Sequence, residues 1–198
     1  SFKGLGPGQK LTLNGAKINR IIYSENSNLT FENAELLNGC PANDASLNAG
    51  GGIFIDGGSL TARNTDFIGN ATGDYPYLMD RNGGAIYGGS RPTDIKIIDG
   101  VFLTNKITRK GNGAAIYQNS GNLIIKGTVF KENNSSDNKA EGACIHTRKD
   151  VKAKVSNVSV FVTKGFNTGG FLKSYGSTIE VGESTFVIKN LGDKYGQS

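Results

Sequence analysis

The sequence of 198 residues has no tryptophan, one methionine, one histidine and two cysteines. Two distant cysteines and a lone histidine match no spacing used by metal sites, so we expect neither a metal nor another cofactor. No window carries the apolar period of an amphipathic helix, and no apolar run is long enough to span a membrane. These absences disfavour a helical protein, a metalloprotein and a membrane-spanning segment.

The charge is basic but dispersed. The formal net charge is +5 and the isoelectric point is near 9.1, yet 22 basic residues are interspersed with 17 acidic ones. Only Arg109-Lys110 and Arg148-Lys149 form adjacent basic pairs. We therefore predict a solvated surface with a mild preference for acidic partners, and no nucleic-acid binding.

Glycine is abundant, at 29 residues, but shows no period of three, which excludes a collagen-like chain. The apolar residues form short runs of Ile, Leu, Val and Phe that are separated by Gly and Asn. This punctuation is typical of short strands joined by turns.

A repeated segment gives the strongest signal. Each copy begins with glycine and a second small residue. One further residue follows, and then an Ile or Leu, which recurs every 27 to 33 residues. The five copies are residues 50–54, 83–87, 113–117, 142–146 and 169–173. We expect the small residues to lie where the backbone turns sharply or neighbouring repeats crowd together. Cys144 occupies the place held by Gly52, Ala85 and Ala115, directly before the Ile, so we expect it to be a small interior residue without a disulfide to the distant Cys40.

A second motif, Phe-x-x-Asn, follows each copy of the first. It is complete at Phe67/Asn70, Phe102/Asn105 and Phe130/Asn133, and degraded at Phe161/Lys164 and Phe186/Asn190. We expect each Phe to point inward and stack on the Phe of the next repeat. The Asn is expected at a corner, because asparagine tolerates the left-handed backbone conformation.

A period near 30 residues with three short strands per repeat predicts an all-β fold, a right-handed parallel β-helix of six or seven coils. Residues 1–198 are expected to form a single domain, in which 1–48 are opening coils or an N-terminal cap and 49–190 are the motif-bearing coils. We expect this domain to be a fragment of a longer surface protein that continues end to end with it.

The insertion at 71–81 is the leading candidate binding loop, because loops that interrupt a regular solenoid commonly carry function. Its binding candidates are Asp74, Tyr75, Tyr77, Asp80 and Arg81. A loop that folds back over the sheet with half-buried tyrosines is the alternative. Its acidic residues lack the regular spacing of a calcium loop, so no metal is assigned to it.

Aromatic residues follow the Ile of successive repeats at Phe54, Tyr87 and Tyr117, with His146 in the equivalent later position. We expect a surface-facing stripe along the rod. Tyr87 and Tyr117 could bind sugar rings or a partner's aromatic residues, or the rings could only stack on one another and stabilise the sheet.

An enzyme is the principal rival hypothesis, because residues 64–66, Asn-Thr-Asp, resemble a motif of polygalacturonases. That chemistry needs a second carboxylate nearby, and the Asp-Asp pair, His-Gly and Arg-x-Lys of those enzymes do not occur in this sequence. We predict that Asp66 is an outward strand residue, that no residue is catalytic, and that the protein is not an enzyme.

Together, the two repeated motifs resemble the Gly-Gly-Ala-Ile/Phe-x-x-Asn repeat of chlamydial polymorphic membrane proteins, which also occurs in adhesin-like surface proteins of methanogenic archaea. The match is good over residues 50–135 and weaker over 142–190. The resemblance implies an extracellular or cell-surface β-helix that adheres to a protein or glycan of another cell. A polysaccharide-degrading enzyme and a non-binding spacer remain the alternatives.

Overall fold

The strands of the protein follow one another with no helix between them in the described residues. The computed structural model describes residues 1–4, 6, 8–41, 48–74, 81–135, 140–141, 144–161, 166–168 and 170–187. The strands are β1 (Phe2–Lys3), β2 (Leu11–Asn14), β3 (Ile22–Leu37), β4 (Ile53–Ile68), β5 (Ile86–Gly88), β6 (Thr93–Ile98), β7 (Val101–Leu103), β8 (Lys106–Ile107), β9 (Ile116–Gln118), β10 (Gly121–Lys126), β11 (Val129–Lys131), β12 (Asn134–Ser135), β13 (Ala140–Glu141), β14 (Ile145–Thr147), β15 (Val151–Ser156), β16 (Ser159–Phe161), β17 (Phe166–Thr168), β18 (Leu172–Ser174), β19 (Thr178–Val181) and β20 (Thr185–Val187).

Every pairing between these strands is parallel, and the chain forms a β-solenoid of about 5 turns. This confirms the predicted all-β parallel β-helix. The coil count is lower than the expected six or seven because the chain before β3 adds only two short strands, β1 and β2, which pair with β3. Those two strands do not complete a coil.

Three faces run along the solenoid. The first face begins with Ile22 of β3 and Ile53 of β4 and continues through β5, β9, β14 and β18. The second face contains the middle of β3 and β4, then β6, β10, β15 and β19. The third face contains β2, the ends of β3 and β4, then β7, β11, β16 and β20. Each strand thus pairs with its counterpart one coil away, as the repeat predicted.

The core lies inside the coil and is built by strict alternation. In β6 the side chains of Ile95 and Ile97 are buried while Asp94 is exposed, and the same pattern recurs in β10 and β15. Alternation of this kind places every second side chain inside and leaves the others on the outer surface. Once the register between coils is known, the alternation therefore determines which residues form the outer surface of each face.

The phenylalanine stack is confirmed for the three complete motifs. The ring centroids of Phe67 and Phe102 are 4.7 Å apart, and those of Phe102 and Phe130 are 5.0 Å apart. The ring planes in the two pairs are nearly parallel, with interplanar angles of 7° and 5°. All three rings are fully buried. The next ring against Phe130 comes from Phe171, which meets it edge-on at 69°.

The predicted inward position of Phe161 is wrong. The register pairs Phe130 with Val160, which is fully buried, and Phe161 lies one place further along with 36% of its surface exposed. Two adjacent apolar residues compete for one inward position here. The shorter Val160 fills it, while the edge-on ring of Phe171 occupies the space above Phe130.

The asparagines of the second motif differ from the expectation: they lie inside the coil. Asn70, Asn105 and Asn133 are fully buried and form a hydrogen-bonded ladder. The Asn70 side-chain amide donates to Asn105 Oδ1 over 3.0 Å, and that of Asn105 donates to Asn133 Oδ1 over 2.9 Å. A buried amide needs partners for its donors and acceptor, and the neighbouring coil supplies them.

The left-handed corner lies one residue before each ladder asparagine. Gly69, Thr104 and Glu132 have positive φ angles of 63°, 54° and 54°. This turn directs the following asparagine inward. The corner between the second and third faces does use asparagine, with positive φ at Asn33 and Asn64.

The glycine motif behaves as predicted. Gly83 has φ 68°, a conformation that favours glycine, and a Cβ on Gly84 would collide with the carbonyl oxygen of Ala114 in the next coil. Cys144 is fully buried in the same interior column as Ala85 and Ala115, and both cysteines are free thiols. Burial raises the pKa of the Cys144 thiol, consistent with its role as a small interior side chain.

Candidate functional site

The predicted binding loop is only partly within the described residues. Tyr75, Tyr77 and Asp80 lie outside them. Asp74 is exposed and forms an ion pair with the exposed guanidinium of Arg109 from the next coil. Arg81 is buried, and this burial lowers the pKa of its guanidinium. Asp74 is therefore accessible to a partner, whereas Arg81 belongs to the interior of the fold.

The aromatic residues of the first face form a continuous stack, as one of the two expectations proposed. Ring centroids are separated by 4.9 to 5.3 Å, and adjacent ring planes differ by 2° to 19°. In order along the solenoid, the rings belong to Tyr23, Phe54, Tyr87, Tyr117 and His146. The guanidinium carbon of Arg20 lies 5.3 Å from the Phe54 centroid, a cation–π contact at the N-terminal end of the stack.

The expectation that this stack faces solvent is wrong for most of its length. Phe54 is 5% exposed, Tyr117 3% and His146 5%, while Tyr87 is half-buried. Alternation alone put these rings outside the coil. It could not indicate that Phe54, Tyr117 and His146 are buried there. Tyr117 is thus unavailable to a partner in the folded protein, and the stack contributes to stability.

The outer surface of the second face brings together residues that the sequence leaves far apart. Three outward rows cross the strands, and the central row contains Thr30, Thr61, Lys96, Ile124, Lys154 and Glu180. The rows on either side contain Asn28, Ser59, Asp94, Asn122, Lys152 and Thr178, and Glu32, Arg63, Ile98, Lys126, Ser156 and Gly182. No aromatic residue stands in any of the three rows.

A shallow groove of about 390 Å³ lies on this surface. Its lining comes from four successive coils: Ser59, Thr61, Asp94, Ile95, Lys96, Asn122, Ile124, Lys152 and Lys154. Ile124, in the middle, is 39% exposed. We call the surface around this groove the lysine face, defined by Lys96, Ile124, Lys126, Lys152 and Lys154.

The polar groups beside the groove are partly engaged with one another. The Asn122 side-chain amide donates to Asp94 Oδ1 over 2.7 Å, and Lys154 forms an exposed ion pair with Glu180 over 2.9 Å. Exposed pairs of this kind contribute little stability. Among the residues that the structure describes, Lys96, Lys126 and Lys152 have no ion-pair partner.

Sequence reasoning missed the lysine face because its residues are not adjacent in the chain. One signal was present in the sequence. Every second residue of an alternating apolar run is expected to face outward, and each lysine stands at such a position, in runs 94–98, 122–126 and 151–155. Combining the runs requires the register between coils. Since the repeat length varies from 27 to 33 residues, that register follows from the structure alone.

Two pairs of carboxylates also lie opposite each other on neighbouring coils. Glu35 is in register with Asp66, and Glu25 is in register with Asp56. Asp66 is an outward residue of β4, as predicted, and pairs with Lys10.

Basic or hydroxyl groups engage each of these carboxylates. Thr12 Oγ1 donates to Glu35 over 3.2 Å. Arg91 bridges the other pair, 3.8 Å from Glu25 and 3.6 Å from Asp56.

Within the described ranges, no group of three or more His, Cys, Asp or Glu side chains could hold a metal ion. The same part of the chain holds no helix with the length and apolar character that crossing a membrane requires. Comparisons with protein-family models, with curated proteins and with solved structures gave no match to this chain.

Proposed function

We propose that the protein is an adhesin-type segment of a cell-surface or secreted protein, which binds a protein or glycan of another cell through the lysine face. The observation that carries this proposal is the groove of about 390 Å³ centred on Ile124. Sites that recognise other molecules are commonly concave and combine apolar contact area with a few polar groups that fix orientation. This groove has both features.

The scaffold under the groove is well suited to binding. Backbone pairing holds β4, β6, β10 and β15 in continuous register, and the buried rows of Ile, Leu, Val and Ala fix the strands from below. A surface that is already ordered loses little conformational freedom when a partner binds. Loops that must order first would bind the same partner more weakly.

Adhesion also agrees with the resemblance of the repeat to polymorphic membrane proteins, whose β-helices are expected at the cell surface. That resemblance is weaker support than the groove, because a fold by itself does not determine function. The exposed Asp74–Arg109 pair at the start of the 71–81 insertion is a second contact region under this proposal.

Binding to an array of glycans and cell-surface proteins tests the proposal. We expect saturable binding by the purified protein. Ile124→Asp should weaken it by about tenfold or more, because a carboxylate would replace apolar contact area in the centre of the groove. The matched control is Ile18→Asp, the same change at a residue that is 59% exposed in a turn away from this face. It should bind like the unmodified protein.

Two other results would redirect the assignment. Equal binding by both variants would move the contact away from the lysine face. Absence of binding to every component of the array would favour a structural spacer, which is one of the alternatives that the sequence left open.

A polysaccharide-degrading enzyme is the second candidate, and the in-register carboxylates Glu35 and Asp66 are the observation in its favour. Glycoside hydrolysis uses two carboxyl groups at close range. Lys10 and Thr12 engage both groups in the folded protein, which favours a structural role. We expect no release of reducing sugar from polygalacturonate or other acidic polysaccharides. Release that is abolished by Asp66→Asn would establish the enzyme instead.

A further inference from the structure

Four lysines surround one exposed apolar side chain on the second face. Lys96 and Lys154 occupy the same row as Ile124, one coil before it and one coil after it. Lys126 stands two residues further along the same strand, and Lys152 is diagonal to Ile124 on the next coil. Neighbouring coils are separated by about 4.8 Å. Lys96 and Lys154 are therefore rooted about 10 Å apart across the strands.

This arrangement concentrates positive charge. Lys96, Lys126 and Lys152 lack an ion-pair partner among the described residues, and the carboxylate of Asp94 accepts hydrogen bonds from Asn122. Glu180 pairs with Lys154 at the C-terminal margin of the group. Neighbouring lysines in this group are diagonal to one another or two positions apart, and at these separations their like charges still repel. An anionic ligand that lies between them would relieve this repulsion.

The spacing of the charges indicates what the ligand looks like. Successive positions in the central row advance by one strand spacing, which is comparable with the advance of one sugar ring along an extended polysaccharide. Alternate rings could then present acidic groups to Lys96 and Lys154 while the ring between them packs on Ile124. The lysine side chains are long and flexible, so they can follow carboxylate or sulfate groups without a rigid match.

We infer that the lysine face binds a linear acidic polysaccharide that lies across the strands, along the solenoid axis. This inference rests on the proposed adhesive function and assigns its ligand class. A neutral glycan fits less well, because the three rows hold no aromatic ring on which a sugar could stack. A single-stranded nucleic acid fits less well for the same reason, since base stacking on aromatic side chains supplies much of its binding energy.

Dextran sulfate and uncharged dextran provide a matched pair of probes, because they share a backbone and differ in charge. We expect the protein to bind immobilised dextran sulfate, with little binding to dextran and with affinity that falls as salt increases. The test variant replaces all four lysines of the face by Gln, at Lys96, Lys126, Lys152 and Lys154. It should bind about 10- to 100-fold more weakly, because four cationic contacts are lost.

The control variant changes Lys106, Lys110, Lys131 and Lys149 together to Gln. These lysines are exposed and lie outside the lysine face. Both variants lose four positive charges, so they have the same net charge. It should bind within about twofold of the unmodified protein, since screening limits the influence of distant charges. Circular dichroism and the unfolding midpoint of both variants show whether each of them is folded.

Further probes separate the sources of acidity and the rival ligands. Hyaluronate carries carboxylates without sulfates, and its binding would assign the carboxylated class, whereas binding to dextran sulfate alone would assign the sulfated class. An equal loss in both lysine variants would overturn the inference, and so would failure to bind either polyanion. The inference would also be overturned if double-stranded DNA bound as tightly as dextran sulfate and the variant of the lysine face lost that binding.

Failure of the inference is distinguishable from failure of the adhesive function. Binding to a neutral glycan or a protein of the array that Ile124→Asp removes would leave the adhesin assignment in place while excluding an acidic polysaccharide. Lack of binding to polyanions and to the array would exclude both.

Discussion

Asn105→Ala is expected to lower the free energy of unfolding by about 2 to 5 kcal/mol. The Asn105 side chain is fully buried at the centre of the asparagine ladder. Its Oδ1 accepts the backbone amide of Asn70 over 3.0 Å, and its Nδ2 donates to the carbonyl oxygen of Phe67 over 2.8 Å. Alanine removes these bonds and the contacts to both neighbouring asparagines, which leaves polar groups without partners in a site that water does not reach.

The matched control for this change is Asn122→Ala. Asn122 also donates its side-chain amide to a neighbouring coil, to Asp94 of the preceding one, but it is exposed, so water can replace the lost bond. Its effect should stay within about 0.5 kcal/mol. Urea unfolding of both variants, with the dependence on denaturant compared, measures the difference. Equal effects of the two substitutions would mean that the buried ladder contributes no more than a surface contact.

Asn105→Asp separates hydrogen bonding from volume. Aspartate has almost the same shape but no side-chain N–H donor, and burial opposes its ionisation. We expect this variant to be destabilised as well, and more strongly at neutral pH than at acidic pH, where the carboxyl group is protonated. This is the sign expected of a carboxyl group whose pKa burial raises.

The asparagine ladder also shows where sequence reasoning succeeds and where it stops. The recurrence of Asn70, Asn105 and Asn133 was visible and correctly indicated a repeated role. The role was misjudged, because the preference of asparagine for left-handed corners is a local property. Burial of these side chains depends on identical residues in neighbouring coils. Asparagine does occupy a left-handed corner at Asn64, where its exposed side chain donates to Asn33 of the neighbouring coil over 2.7 Å.

The same distinction explains the rest of the comparison. The period, the parallel pairing of the strands and the stack of Phe67, Phe102 and Phe130 could be predicted, because each follows from motifs that recur along the chain. The burial of Tyr117 and the assembly of the lysine face could not. The first depends on tertiary contacts outside the repeat pattern. The second depends on a register between coils of unequal length, which brings Lys96, Lys126 and Lys154 together on one face.

Phe102→Ala is expected to produce the largest loss of stability of any single substitution proposed for this protein. The ring is fully buried between Phe67 and Phe130, with centroid distances of 4.7 and 5.0 Å. Truncation of a buried phenylalanine costs about 3 to 5 kcal/mol through lost burial and the cavity that remains. Each ring pair adds about 0.5 to 1.5 kcal/mol. Chemical denaturation gives the total, and Phe102→Leu should recover much of it because the cavity is largely filled.

The control, Phe161→Ala, tests the corrected register directly. If Phe161 points outward, as its 36% exposure indicates, its truncation should cost about 1 kcal/mol or less. If instead the motif alignment were right and Phe161 belonged to the inward column, the two truncations would have similar effects. The two positions belong to the same motif in sequence, so only the side chain's direction distinguishes them.

The distribution of the damage from Phe102→Ala is as informative as its size. In a solenoid each coil contacts only its neighbours, so a defect weakens the adjoining interfaces before it affects distant coils. Amide hydrogen exchange should therefore accelerate most in β7, which contains Phe102, and in β4 and β11, which pair with β7 on either side. The strands β1 and β2 should change least. Uniform acceleration along the chain would mean instead that all the coils unfold as one cooperative unit.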